Sequence, residues 1–176
     1  MAYINSQKVA TRDECGLVKI GNHLDISNDG ELTINLRSII EEGVWQPKLI
    51  SGPEGGAITC KILYANYSKI GSLVHAAFDL QVVQMERGKG KTSSHVMIEG
   101  IPLMSVSSDG YCGSVNITYF NNLNSSVCAL SGSVRPESYS CDIWHSRKNV
   151  TTLAKLEYGD IKISTRLQGI IIYNCA

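Results

Sequence analysis

A chain of 176 residues is the size of one ordinary domain with room for a small appendage, long enough to build a core without covalent staples. Lys plus Arg and Asp plus Glu each number 16, so no global field draws in nucleic acid or an anionic membrane. No stretch is long and apolar enough to span a bilayer, and the N-terminus lacks a basic segment followed by an apolar run, so neither membrane insertion nor secretion is expected.

Residues 1–15 are polar and carry no strong signal. Gly16-Leu17-Val18-Lys19-Ile20-Gly21 reads as a short strand between glycines. Leu24-Asp25-Ile26 and Leu32-Thr33-Ile34 alternate on either side of Asn28-Asp29-Gly30. Asp-Gly suits the positive φ angles of a tight turn, so a small hairpin is expected there. Leu36, Ile39 and Ile40 have helical spacing, followed by Glu41, Glu42 and Gly43. One or two helical turns would fit, although acids at a helix C-terminus oppose the macrodipole. The segment reads as a connector, and the chain as an N-terminal module of residues 1–44 before a domain of residues 45–176.

From Trp45 onward the pattern is β. Ile58, Cys60, Ile62 and Tyr64 alternate with Thr59, Lys61 and Leu63. Residues 73–83 alternate without a break: Val74, Ala76, Phe78, Leu80 and Val82 point one way, and Leu73, His75, Ala77, Asp79, Gln81 and Val83 the other. Strict period two predicts a strand with one apolar and one mixed face. Met85 to Ser94 reads as a polar loop containing Arg87-Gly88-Lys89-Gly90-Lys91. A phosphate-binding loop needs a longer glycine spacing between a strand and a helix, and that helix is missing from the pattern. A solvated hairpin loop is expected instead.

Val96 and Ile98 mark a further strand, ended by Gly100 and Pro102. Val115, Ile117 and Tyr119 alternate next, then a short apolar run begins at Val127. Tyr139, Cys141 and Ile143 alternate with Ser140, Asp142 and Trp144. Strands at 160–165 and 167–173 are expected to close the chain. Ile170-Ile171-Ile172 is apolar on both faces, which calls for cover on both sides, from a second sheet or from another chain. Many short strands separated by turn residues predict an all-β, antiparallel sandwich.

The six cysteines, at 15, 60, 112, 128, 141 and 175, include no Cys-x-x-Cys pair. Without a secretory route, free and mostly buried thiols are expected, with a Cys112–Cys128 disulfide as the alternative. Sequons at Asn66, Asn116, Asn124 and Asn149 are then unmodified. The histidines, His23, His75, His95 and His145, are scattered and lack metal-ligand spacing, so no metal or other cofactor is expected.

Four motifs, in order, resemble the C-terminal receptor-binding tips of bacteriophage tail fibres. They are Trp45-Gln46-Pro47-Lys48-Leu49, the turn Tyr67-Ser68-Lys69-Ile70-Gly71, the alternating strand 73–83, and Ile98-Glu99-Gly100-Ile101-Pro102-Leu103. Tyr173 near the end of the last strand also matches. The segment from Gly16 to Leu32 is similar to the linker module that precedes such tips. Leu103 stands where an aromatic is commoner, and residues 104–150 are individual to this chain.

The resemblance implies a jelly-roll-like homotrimer at the tip of a virion tail or head fibre, assembled in the host cytoplasm. Its partners would be the upstream fibre shaft or tail and baseplate components, and a host-surface glycan or outer-surface protein. A structural trimerisation or capping module without a ligand is the alternative, and a glycan hydrolase a third. No Gly-x-Ser-x-Gly elbow occurs, nothing singles out a carboxylate pair among Asp79, Glu99, Asp142 and Glu157, and no long repeat is present, so no enzyme activity is expected.

Carbohydrate sites combine an aromatic ring for sugar C–H faces with polar groups for the hydroxyls. Tyr139, Asp142, Trp144, His145 and Arg147 supply both kinds within one segment. The other reading puts Trp144 in the core and the charged residues on an ordinary surface. Tyr111, Tyr119 and the loop at Asn121 form a second candidate group.

Overall fold

The computed structural model describes residues 24–26, 32–34, 39–86 and 91–176. The chain divides into two compact units, Met1–Glu41 and Glu42–Ala176. The strand expected at 16–21 and the glycine-lysine loop at 87–90 lie outside the described residues.

In the first unit, β1 (Leu24–Ile26) pairs antiparallel with β2 (Leu32–Ile34), with Leu24 opposite Ile34 and Ile26 opposite Leu32. This is the expected hairpin.

The rest is β3 (Ile40–Val44), β4 (Lys48–Ser51), β5 (Ile58–Ile70), β6 (Leu73–Met85), β7 (Val96–Glu99), β8 (Gly113–Asn121), β9 (Val127–Val134), β10 (Ser140–Arg147), β11 (Ala154–Lys155) and β12 (Arg166–Asn174). They form one antiparallel path in the order β3-β5-β6-β12-β8-β9-β10-β7-β4, with β11 added beside β10. The path curls until β4, at its far end, approaches β5. A cavity of about 320 Å³ between them is lined by Leu49, Ile50, Ile58, Cys60 and Ile62. The architecture is therefore an all-β, curled antiparallel sheet.

Period two decides which face is buried. Val74, Ala76, Phe78, Leu80 and Val82 of β6 all face the core. Leu167, Ile171 and Tyr173 of β12 join them, with Val115 and Ile117 of β8 and Cys141 and Ile143 of β10. Each Val, Leu, Ile or Phe side chain among them contributes about 1.5–3 kcal/mol by leaving water, so a slip of one residue in register would forfeit the whole set.

Three local expectations are corrected. Ile40 opens a strand instead of ending a helical turn. Gly43 lies so close to the Tyr67 ring that an added Cβ would sit 2.6 Å from it, so a larger residue there would displace the ring. The segment 67–70 is still strand, and the turn is the pair Gly71-Ser72 alone, with Ile70 opposite Leu73. Gly71 has φ +60°, suiting the first central position of a two-residue hairpin. Finally, 160–165 is no strand. Tyr158–Asp160 form a 3-10 turn whose Asp160 carboxylate accepts the Glu157 N–H at 3.3 Å. Thr165 then accepts the Lys162 N–H at 2.9 Å and donates to the Asn122 carbonyl at 2.9 Å. These side-chain bonds satisfy the backbone that a ladder would otherwise have used.

β12 lies centrally, between β6 and β8. Ile171 is fully buried, whereas Ile172 is 42 % exposed on the opposite face. Within the unit Glu42–Ala176, the described strands form one sheet and no second sheet covers that outer face.

All five described cysteines, Cys60, Cys112, Cys128, Cys141 and Cys175, are free.

Candidate functional site

Alternation along β10 sends Cys141, Ile143 and His145 into the core and Asp142 and Trp144 to the outer face. Asp142 sits between Ser133 of β9 and Met97 of β7. It is 1 % exposed because other side chains cover it. Tyr111, from the loop before β8, donates to its Oδ2 at 2.8 Å. Arg135, the first residue after β9, donates from Nη2 to Oδ1 at 2.7 Å. Lys155 of β11 places Nζ 3.3 Å from Oδ2.

The pKa of Asp142 follows from this shell. Burial pushes it up, but the hydrogen bonds from Arg135 and Tyr111 and the charges of Arg135 and Lys155 outweigh burial and hold it below the usual carboxylate range. The Tyr111 hydroxyl moves the other way, first because it donates to Asp142 and then through burial and the Asp142 charge. Asp142 is thus a fixed anion and Tyr111 a fixed donor.

The aromatic half of the site lies alongside. Trp144 stands opposite Lys155 in the β10–β11 pair, and Lys155 Nζ lies 5.4 Å from the Trp144 ring centre. Tyr111 meets Trp144 edge to face, with ring centres 6.3 Å apart and planes at 84°. Beside them opens a cavity of about 490 Å³ lined by Gly110, Tyr111, Arg135, Pro136, Ser138, Asp142 and Lys155. Next to it, the outer faces of β8 and β9 carry small residues: Ser114, Asn116, Ala129, Ser131 and Ser133. The result is a shallow, mostly polar floor with a charged aromatic wall.

The structure therefore brings together three of the residues picked out in the sequence: Tyr111, Asp142 and Trp144. The others lie elsewhere. Tyr139 precedes β10, its ring exposed, and its carbonyl accepts the Gly100 and Ile101 N–H groups at 2.8 and 3.2 Å. His145 points into the core, where Nε2 is 3.6 Å from the buried Asp160 carboxylate. Arg147 Nη2 reaches the same carboxylate at 3.2 and 3.3 Å. These two serve the 3-10 turn and do not share a surface with Trp144.

Tyr119 and Asn121 build a separate cluster on β8. Asn121 donates to the Tyr119 hydroxyl at 3.1 Å and accepts the Arg166 N–H at 3.1 Å. The Arg166 guanidinium lies over the Tyr119 ring at 5.7 Å and grips Asp79 with two bonds, at 2.9 and 2.6 Å.

Sequence reading missed Arg135 and Lys155. Each is a single basic residue at a strand end, where alternation carries no weight. Only the pairing of β9, β10 and β11 shows that both face Asp142.

No group of three or more His, Cys, Asp or Glu side chains able to hold a metal occurs among the described residues. No protein-family model matches the chain, and comparison with curated proteins and with solved structures finds no match either.

Proposed function

We propose that this chain is the receptor-binding tip of a bacteriophage tail or head fibre, holding a host-surface glycan on the outer face of β8 to β10 without chemical turnover. The observation that carries the reading is the pairing of Trp144 and Tyr111 with the ionised Asp142, held by Arg135 and Lys155, at the edge of an open cavity. Rings meet sugar C–H faces and fixed donors and acceptors meet hydroxyls. An Asp held ionised by two cations is a poor proton donor, which favours binding over glycoside hydrolysis. In this reading the curled sheet works as a jelly-roll-like sandwich, and three copies multiply a weak single-site affinity. The virion supplies the upstream shaft or baseplate partner.

A specific observation also favours the structural alternative. Ile70, Leu73 and Ile172 are exposed on the outer face of the central strands. Apolar residues there suit a subunit contact, as a trimerisation module would need.

Attachment of the purified chain to bacterial cells and to arrayed glycans tests the proposal, with light scattering to count subunits. Wild type should attach, and Trp144→Ala should fold and assemble alike yet lose about tenfold or more in attachment. A folded Trp144→Ala variant that attaches normally removes the site. Three subunits with no attachment at all would leave the structural module.

A further inference from the structure

The charges around the cavity do not cancel. Asp142 is one carboxylate facing two cations, Arg135 at 2.7 Å and Lys155 at 3.3 Å, while Tyr111 contributes a neutral hydroxyl. Glu99, on the same outer face of the neighbouring strand β7, stands opposite Lys48 of β4 in register and is not among the residues that line the cavity. Among the side chains that line the cavity, two cations thus face one carboxylate; Asp109 and Glu137, next in sequence to lining residues, are not part of the lining.

The donors are not used up either. A guanidinium has five N–H groups in a planar fork. Arg135 gives one nitrogen to Asp142 while its side chain stays 38 % exposed and lines the cavity. Lys155 carries three N–H donors, and the same cavity takes it as lining. Arg135 thus keeps N–H groups beyond the one given to Asp142, on a side chain that lines the open cavity where an oxyanion could be met.

We infer that the Arg135–Lys155 wall selects an anionic saccharide, one carrying a carboxylate or phosphate group, over its uncharged counterpart. The inference rests on the receptor-binding reading above and adds a substrate class to it. The acid group lies against Arg135 and Lys155, and the sugar body extends toward Trp144 and the serine floor of β8 and β9. A single surplus positive charge matches a monoanionic carboxylate better than a dianionic phosphate.

The test uses the full chain and paired probes: glucuronic, galacturonic and N-acetylneuraminic acids against their methyl esters, and glucose 6-phosphate against glucose. Binding is followed by the indole N–H resonances of the two tryptophans. At least one acid should bind about tenfold more tightly than its ester, and this preference should shrink as salt rises. Lys155→Gln, which keeps Arg135 on the buried carboxylate, should erase the preference by bringing acid binding down to that of the ester. Asp142→Asn removes the internal competitor and should tighten acid binding, a gain that a merely structural role cannot produce. If glucose 6-phosphate binds and the sugar acids do not, the anion class stands with phosphate as its source. Equal binding of acids and esters overturns the inference but leaves the receptor-binding reading intact. Failure of every acidic probe to move the Trp144 signal, with Lys155→Gln still attaching to cells as wild type does, also overturns it.

Discussion

The hydroxyl of Tyr173 serves both backbone groups of Leu103, donating to its carbonyl at 2.9 Å and accepting its N–H at 3.1 Å. A residue of the last strand thereby pins the loop that leaves β7. Tyr173→Phe keeps the ring but leaves both groups of Leu103 without that partner, which should cost about 1–3 kcal/mol. Urea unfolding of the variant checks this. An unchanged midpoint would mean that water replaces the hydroxyl freely.

Gly100 ends β7 with φ +89°, and an added Cβ would lie 2.6 Å from the Gln46 carbonyl oxygen. Two penalties thus fall on one substitution, the backbone conformation and the close contact. Gly100→Ala should lower stability by about 2 kcal/mol or more, whereas Gly71→Ala, with open space around it, should meet only the conformational part. Thermal melts of the two variants side by side separate the terms.

The two tryptophans show how far the sequence could be read. Trp45 opens the motif Trp45-Gln46-Pro47-Lys48-Leu49, whose order does not tell that it is 4 % exposed, packs edge-on to Phe78 at 6.2 Å and donates its indole N–H to the Ala77 carbonyl at 3.0 Å. Trp144 sits in a strand of strict alternation, so its partition to the face opposite Ile143 was legible. Nothing in the alternation says whether that face meets solvent or another layer, which left the core and surface readings of Trp144 open. Alternation also located most strands, because burial of a whole face outweighs local preference. It could not find Arg135 or Lys155, whose roles come from contacts across strands, nor the turn at Tyr158–Asp160, which is stabilised by side-chain bonds instead of periodicity. Proximity in sequence groups His145 and Arg147 with Trp144. Parity sends His145 to the other face, and the chain end of β10 takes Arg147 to Asp160.

From those positions a contrast follows. Trp45→Ala empties a closed core site and should cost about 3–5 kcal/mol. Trp144→Ala forfeits one edge-to-face contact and one cation–π contact, worth about 1–2 kcal/mol together. Denaturant midpoints should rank wild type, then Trp144→Ala, then Trp45→Ala. The reverse order would place Trp144 in the load of the fold and weaken its assignment to a surface site.

The free thiols should differ in reactivity. Burial pushes the Cys141 thiol up to about 12, with the nearby Asp142 charge adding to the effect. Cys128 is exposed on the outer part of β9. Iodoacetamide at neutral pH should therefore modify Cys128 in the native protein and reach Cys141 only after unfolding. Peptide mass spectrometry reads both sites, and rapid native labelling of Cys141 would show that β10 opens locally.

Asp142 also sets an acid limit on stability. Its folded pKa lies below the unfolded value, because the Arg135 and Tyr111 hydrogen bonds and the charges of Arg135 and Lys155 overcome the opposing effect of burial. The unfolded chain therefore takes up the proton first as pH falls. The stabilisation is fully present above the ordinary carboxylate range, declines from about pH 5 downward, and is gone once pH has passed through the lowered folded value. Asp142→Asn should flatten this slope. It should also lose stability at neutral pH, since Arg135 and Lys155 then face each other without the anion between them. Urea midpoints measured from neutral to acid pH for both proteins provide the comparison. Parallel curves would show that other carboxylates carry the acid sensitivity and that the Asp142 charge is not held by its neighbours.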